Sequence, residues 1–221
     1  MKVSVLIPAF NAASTLSPLL RETLAYVPQE NILLVDDGSF DTTASVAEAH
    51  GVYTIQLKKN CGKGAALQRG FSKILASDYD AVITMDADLQ HEPKEIPNFI
   101  RRAEETCADV VIGNRLHQLR GMPVHRILSN VLTTFLVEAR TGVRLRDSQC
   151  GFRFIKTEVL RSVQLSCSGF EAETEFLIKA ALCGFRFDAI PISTIYAGEK
   201  SHMTHFNTTV QFLKVLLKEY Q

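Results

Sequence analysis

The sequence lacks the cysteine spacing of a disulfide scaffold or a zinc site. Its cysteines are odd in number, widely scattered and without a CxxC pair. This usage predicts a reduced, cytoplasmic protein. The five are Cys61, Cys107, Cys150, Cys167 and Cys183.

Net charge and long apolar runs are also missing. The 24 Lys and Arg residues balance 24 Asp and Glu residues, so no basic excess exists to neutralise a phosphate backbone. This balance argues against nucleic acid as a main partner. The longest uncharged stretch, 3–20, has the length of a membrane span but contains two prolines and several polar residues. It is therefore neither a span nor a signal peptide.

Apolar runs alternate with helical patterns in the first half of the chain. The 221 residues are 46% hydrophobic, which suits a globular chain with a large core. Strands that are apolar on both faces are typical of parallel sheets covered by helices. Strands are predicted at 3–8, 32–36, 52–57, 81–85 and 109–113. The pattern predicts an α/β fold with a doubly wound, mostly parallel sheet and helices on both faces.

The second half is less regular, and no repeat or linker divides the chain, so we predict one domain over 1–221. The second helix is expected to be capped by Ser39 and closed by Gly51, and the fourth to begin at Pro93. Further strands are predicted at 151–155 and 185–192. Helices are predicted at 14–27, 39–50, 64–76, 93–106, 127–140, 171–182 and 207–218.

Acidic residues follow the predicted strands, at the edge where open α/β sheets bind ligands. The second strand ends in Asp36-Asp37, and the fourth in Asp86-Ala87-Asp88. Neighbouring carboxylates repel unless a cation lies between them or one is protonated. A Mg²⁺ or Mn²⁺ site completed by a diphosphate would meet that need. The alternative is that Asp86 and Asp88 only cap the next helix and solvate a turn.

The segment Asn60-Cys61-Gly62-Lys63-Gly64 has features of a phosphate-binding turn. Glycines let backbone amides approach an anion, and Lys63 adds positive charge. No Ser or Thr follows Lys63, however, so the segment does not match the P-loop pattern. A tight turn into a helix explains it equally well.

Taken together, these segments resemble the glycosyltransferase family 2 enzymes of GT-A fold. The nearest branch contains the dolichyl- and polyprenyl-phosphate sugar synthases. The motifs occur in order and span nearly the whole chain, which makes the set far more specific than any one member. They are VLIPAFN at 5–11, VDDGS at 35–39, NCGKG at 60–64, MDADLQH at 85–91, GNR at 113–115, DSQCGFR at 147–153 and Ser201-His202.

The resemblance implies a nucleoside diphosphate sugar donor in residues 1–115 and an acceptor in 116–221. It also implies one in-line displacement that inverts the anomeric carbon. Asp37 would bind uracil or guanine, and Asp86 and Asp88 would hold the nucleotide and the metal. The remaining donor-side candidates are Pro8 and Phe10 flanking the base, Lys63 and Ala87 beside the nucleotide, Gln90 on the metal, and Lys200 and His202 on the diphosphate.

For the acceptor, the resemblance places Arg115 near the transferred sugar and Arg126 on a second phosphate. Arginine matches phosphate oxygens bidentately, although ordinary surface solvation is the alternative for each arginine. A lipid phosphate needs no general base. A hydroxyl acceptor would need one, for which Asp147 and Glu171 are the candidates. Asp147 could instead cap the turn before Cys150.

The sequence thus predicts a metal-dependent, inverting hexosyltransferase acting on polyprenyl phosphate. The same donor chemistry with a soluble hydroxyl acceptor stays open, as do a sugar nucleotidyltransferase and a catalytically silent nucleotide-sugar module. The last helix places Phe206, Val210, Leu213 and Leu217 on one face. That face either packs on the core or makes a shallow, peripheral contact with the cytoplasmic side of a membrane.

Overall fold

The computed structural model describes residues 1–117, 122–194 and 205–220. In this part of the chain, seven strands form one sheet in the order β3-β2-β1-β4-β6-β5-β7. Neighbouring strands are parallel except β6, which is antiparallel to both β4 and β5. The predicted mostly parallel α/β class is confirmed. The strands are β1 Val3–Ala9, β2 Ile32–Asp36, β3 Tyr53–Gln56, β4 Ala81–Thr84, β5 Val110–Asn114, β6 Arg153–Lys156 and β7 Phe187–Pro191.

The helices pack on the sheet in two groups. One group contains α1 and α2, which contact each other, with α1 also touching the 3₁₀ turn before α4. The other contains α3, α6 and α7, and α7 also contacts α5 and α8. The helices are α1 Ala13–Thr23, α2 Thr43–Ala49, α3 Lys63–Leu75, α4 Ile96–Thr106, α5 Val124–Thr141, α6 Thr157–Ser162, α7 Ala172–Leu182 and α8 His205–Leu217.

The core lies along the central strands. Every residue of β1, β2 and β4 is buried, which is why their sequences are apolar except at Ser4, Asp36 and Thr84 instead of alternating. β3 lies at the sheet edge and is only partly buried. Because β1, β2 and β4 are parallel neighbours, their carboxyl ends meet at one edge and bring together loops that are distant in sequence.

One local prediction is wrong, and one short helix has no counterpart among the predicted elements. Ser39 does not cap α2, which begins at Thr43, because its hydroxyl instead donates to Asp36 and accepts from the amide of Asn11. The short helix α6 was not predicted, since six residues carry too little periodicity to be recognised.

The face that α8 packs on the core differs from the predicted one. Phe212, Val215 and Leu216 are buried, whereas Val210 and Leu213 are exposed. Leu217 is exposed as well. Where the structure describes the side chains of α8, its apolar residues therefore cover two faces, and the predicted residues among them, Val210, Leu213 and Leu217, are exposed.

Candidate functional site

Two loops at the carboxyl edge of the sheet are joined by hydrogen bonds and present aromatic rings. The side chain of Asn11, which follows β1 and has a φ of 50°, accepts from the amide of Phe40 at 2.9 Å. The rings of Phe10 and Phe40 pack edge to face, with centroids 6.1 Å apart. Phe40 is 87% exposed and Phe10 41%, so this edge offers apolar surface to a planar ligand. Pro8 lies just below, buried in β1 opposite Val35.

The two aspartates after β2 have different surroundings. Both carboxylate oxygens of Asp37 accept backbone amides, from Cys61 and Gly62, each at 2.8 Å. Asp36 accepts from Ser39 through one oxygen only; its Oδ2 is buried and has no hydrogen-bond partner among the described residues. A buried carboxylate oxygen without a donor is costly unless a ligand or water supplies one. Asp37 thus anchors the 60–64 turn, while Asp36 has an unused acceptor.

A buried charge cluster lies at the end of β4. The ammonium of Lys63, the first residue of α3, is 2.6 Å from Asp86 Oδ1 and 2.9 Å from Glu173 Oε2 in the first turn of α7. Burial alone would lower the pKa of Lys63, but the two carboxylates raise it above its ordinary value. Burial alone would raise the pKa of Asp86, yet Lys63 and His91 hold it well below its usual range.

His91 and Gly151 enclose the other side of Asp86. His91 Nε2 is 3.8 Å from Asp86 Oδ2, and its ring packs on Phe152 with centroids 5.2 Å apart. His91 Nδ1 is buried without a hydrogen-bond partner among the described residues. A Cβ on residue 151 would lie 2.6 Å from Asp86 Oδ2, so this carboxylate requires glycine at that position.

The turn after Asp86 places oxygen ligands close together. Asp88 accepts the amide of Gln90 at 3.0 Å, and Leu89 between them has a φ of 60°. The carbonyl of Ala87 accepts from Thr15 at 2.6 Å, which fixes the turn against α1. Burial, and then repulsion from Asp86, raise the pKa of Asp88. Non-glycine residues with positive φ are strained and cluster at functional sites.

These residues form a hard-oxygen donor set for Mg²⁺ or Mn²⁺. No group of three or more His, Cys, Asp or Glu residues in the described ranges could hold a metal alone. Such ions are usually bound by one or two carboxylates, with substrate phosphates and water completing the shell. The Asp86 and Asp88 pair, with the Gln90 amide oxygen nearby in sequence, fits that pattern.

Arg115, which directly follows β5, forms a bidentate pair with Asp147. Arg115 Nε and Nη2 donate to the two oxygens of Asp147 at 2.8 and 3.0 Å, and the Arg115 amide donates at 3.2 Å. The Asp147 side chain is fully buried and that of Arg115 is 12% exposed. Nearby, burial raises the pKa of the Cys150 thiol to about 12.

The other predicted residues are more dispersed. Arg126 is half-buried in the first turn of α5, and Glu171 accepts the amide of Gly169. Lys200 and His202 lie outside the described residues. Sequence reasoning missed the roles of Asp36, His91 and Glu173. Asp36 and His91 stood within recognised motifs, whereas only the folded chain brings Glu173 to Lys63.

Comparison with known proteins gives the family. The family model described as "Glycosyl transferase family 2" matches residues 4–163. An uncharacterized protein of Methanocaldococcus jannaschii is 31% identical over 98% of this chain and 90% of its own length. The undecaprenyl-phosphate 4-deoxy-4-formamido-L-arabinose transferase of Klebsiella pneumoniae is 35% identical over 75% of this chain, which matches only 52% of that transferase.

A solved structure agrees in fold. The Mycobacterium tuberculosis glucosyl-3-phosphoglycerate synthase, in complex with Mn²⁺, uridine-diphosphate-glucose and phosphoglyceric acid, is 21% identical and has a TM-score of 0.76. That match covers 98% of this chain and 78% of the synthase. The family excludes the sugar nucleotidyltransferase alternative. The strand-end carboxylates, the sheet order and these matches together identify the chain as a glycosyltransferase, a member of glycosyltransferase family 2 with the GT-A fold.

Proposed function

We propose that the protein transfers a hexose from a nucleoside diphosphate sugar to a polyprenyl phosphate, by a single inverting displacement at the carboxyl edge of the sheet. The observation that carries the proposal is the convergence of three groups on that edge: the unused oxygen of Asp36, the Asp86 and Asp88 pair, and the Arg115 side chain fixed by Asp147. They supply, in that order, a contact for a base, a site for a diphosphate with its cation, and a contact for an anionic acceptor.

Asp36, in preference to Asp37, is the base-binding carboxylate in this proposal. Its Oδ2 is buried and lacks a donor, so a base that displaces the covering loops would give it an N–H of uracil or guanine. Phe10 and Phe40 are exposed in the loops that follow β1 and β2. A hydrogen bond to a charged group contributes about 1.5–3 kcal/mol. Asp36→Asn is therefore expected to weaken binding of UDP or GDP by roughly tenfold or more, as measured by calorimetric titration.

The control for this titration is Asp78→Asn, which removes an exposed carboxylate before β4, at the other end of that strand. Binding by Asp78→Asn should equal that of the wild type. Unchanged nucleotide affinity in Asp36→Asn would show that the base lies elsewhere.

A divalent cation would be held by Asp86 and Asp88, with Gln90 as a further ligand. When bound, it supplies positive charge to the departing diphosphate. The protein's own groups orient the donor: Lys63 reaches the diphosphate region from the start of α3, and the strained turn at Leu89 fixes the carboxylates. The solved neighbours bound to Mn²⁺ or Mg²⁺ with uridine diphosphate support this proposal.

Arg115 is the proposed contact for the acceptor phosphate. A phosphate oxygen is already an anion, so this reaction needs no general base. Asp147 is buried and accepts several hydrogen bonds, including three from Arg115, so we assign it the positioning of Arg115 and not proton abstraction. The undecaprenyl-phosphate relatives support a lipid phosphate, whereas the synthase structure with phosphoglyceric acid keeps a soluble acceptor as the alternative outcome.

An apolar stripe on α5 supports a membrane-borne acceptor. Five large side chains lie on one exposed face of this helix, each between 50% and 71% exposed. They recur at the spacing of one helical stripe. Monomeric soluble proteins rarely expose apolar surface of this extent without a binding role. The stripe consists of Val124, Leu128, Val131, Leu132 and Phe135.

Basic residues accompany this stripe, and α8 extends it. His125 and Arg140 are exposed on α5, and Lys214 is exposed on α8, which contacts α5; Lys218 is exposed just after α8 ends. An apolar face with flanking cations suits an interfacial helix on an anionic bilayer. Within the described ranges, no helix is long and apolar enough to cross a membrane. The exposed apolar face and the basic residues near it are the grounds on which we assign the stripe to a peripheral membrane contact.

The double variant Leu128→Ser/Phe135→Ser should bind membranes less tightly. Burying one such side chain contributes about 1.5–3 kcal/mol, so losing two should weaken partition into vesicles of anionic phospholipid by roughly 100-fold. Vesicle sedimentation measures this partition. Transfer to vesicle-embedded undecaprenyl phosphate should fall in parallel, with nucleotide affinity unchanged.

Tyr53→Ser is the matched control, because Tyr53 is 55% exposed but lies on edge strand β3. It should bind vesicles as the wild type does. Equal partition of the double variant and the wild type, or efficient transfer to 3-phosphoglycerate without any lipid, would contradict the membrane-borne acceptor.

A further inference from the structure

Lys63 occupies the position on Asp86 that a divalent cation would need. Its ammonium is 2.6 Å from Asp86 Oδ1. A metal ion on the same oxygen would bring two like charges within a few ångströms of each other, at a site that is largely shielded from water. The other oxygen, Oδ2, faces Gly151 and His91. Binding of the cation at Oδ1 therefore requires Lys63 to release that oxygen.

Glu173 gives the ammonium of Lys63 a second partner when Lys63 releases Asp86. Its Oε2 is 2.9 Å from the ammonium, and the side chains of Lys63 and Glu173 are only 14% and 16% exposed. A largely buried ammonium without a partner is strongly unfavourable. With Glu173 present, Lys63 can leave Asp86 and remain paired.

The backbone around Lys63 is fixed, so the exchange is confined to its side chain. A Cβ at Gly62 would lie 2.5 Å from the carbonyl oxygen of Ser168, and one at Gly64 would lie 2.5 Å from the Cβ of Ala172. The amide of Ala65 also donates to Ser168 at 3.0 Å. The start of α3 is thus packed directly against the segment that leads into α7 and Glu173.

We infer that Lys63 is a built-in competitor of the divalent cation at Asp86, and that Glu173 is a positioning residue that sets the strength of this competition. The inference rests on the cation site of the proposed function. Glu173 connects that site, which lies in the first half of the chain, to a helix of the second half. It acts through Lys63 and needs no contact with the substrate.

The test is the affinity for Mn²⁺ alone, measured by electron paramagnetic resonance titration of the full chain without nucleotide. Glu173→Gln keeps the shape and an acceptor oxygen but removes the charge, and it should weaken Mn²⁺ binding by about tenfold. Lys63→Gln removes the competing cation but keeps an amide donor for both carboxylates, and it should tighten Mn²⁺ binding. In the Lys63→Gln background, Glu173→Gln should have no further effect.

Glu171→Gln is the control for the loss of one negative charge in the same segment. Glu171 precedes Glu173 by two residues in the chain, and its carboxylate accepts from the amide of Gly169. An equal loss of Mn²⁺ affinity in Glu171→Gln and Glu173→Gln would show that the loss comes from removing any negative charge near the site. That result would overturn the inference. Persistence of the Glu173→Gln effect without Lys63 would also overturn it. Thermal unfolding of each variant verifies that it is folded.

A separate transfer assay distinguishes this inference from the proposed function. Sugar transfer that continues in excess chelator would overturn the competition at Asp86 and leave the transferase assignment intact. Mn²⁺ binding that follows the expected pattern, without transfer to any acceptor, would support the competition and contradict the proposed reaction.

Discussion

Asp88→Asn is expected to lower kcat for sugar transfer by about 1,000-fold or more. A cation that neutralises a departing diphosphate contributes several kcal/mol to the transition state, and each 1.4 kcal/mol corresponds to a factor of ten in rate. Asp88 is the carboxylate whose pKa is raised by burial and by Asp86, so a cation relieves its unfavourable environment. The loss should fall mainly on kcat, because the charge develops in the transition state.

Asp78→Asn controls for the removal of one carboxylate, since Asp78 is exposed and lies before β4, away from the strand's carboxyl end. Its steady-state kinetics should match those of the wild type. Full activity of Asp88→Asn, at saturating donor and acceptor, would remove Asp88 from the cation site. A large loss in both variants would indicate general damage instead of a role in catalysis.

The sheet could be predicted because burial on both faces leaves a strong signal. β1, β2 and β4 are mostly apolar and are separated by helical patterns, so their parallel arrangement follows from short right-handed connections. The direction of β6 could not be predicted in this way. It follows the long helix α5 and inserts antiparallel between β4 and β5, a choice that depends on packing across the whole sheet.

In the candidate site, too, some features could be predicted from the sequence and others depend on packing in the folded chain. The place of Asp86 and Asp88 in the site could be predicted, because any polar residue after a central parallel strand must lie at the carboxyl edge. The sequence does not predict which of Asp36 and Asp37 accepts the amides of Cys61 and Gly62, because that depends on where the folded chain brings the 60–64 turn. The pairing of Lys63 with Glu173 likewise depends on the docking of α3 against α7.

Helix α5 shows what the hydrophobic period of a helix cannot predict. The apolar residues Val124, Leu128 and Phe135 recur as a core-facing stripe would, yet they are exposed. A hydrophobic period gives the face that avoids water, but it does not say whether the protein's own core or another surface covers that face. In α5 the buried residues are Thr134 and Val137, on the other side of the helix, so the protein's own core does not cover the apolar stripe.

Arg115→Met is expected to lower the free energy of unfolding by about 3–5 kcal/mol, the cost of leaving a buried carboxylate without its partner. Asp147 is fully buried and pairs with Arg115 at 2.8 Å. Arg102 and Asp188 form a pair at the same distance, but their side chains are 42% and 25% exposed. Arg102→Met should therefore cost about 0–1 kcal/mol. Urea denaturation at one pH measures both variants.

The double variant Arg115→Met/Asp147→Asn separates the buried charge from the lost contacts. The backbone amides of Arg115 and Gln149 now donate to different oxygens of Asp147, so asparagine keeps an acceptor for only one of them. With both charges of the pair removed, the double variant should be more stable than Arg115→Met alone, although both side chains have then lost their contacts. If the double variant were the less stable of the two, the pair would stabilise the fold through packing of the Arg115 stem. The proposal that the buried charge of Asp147 positions the guanidinium would then lose its support.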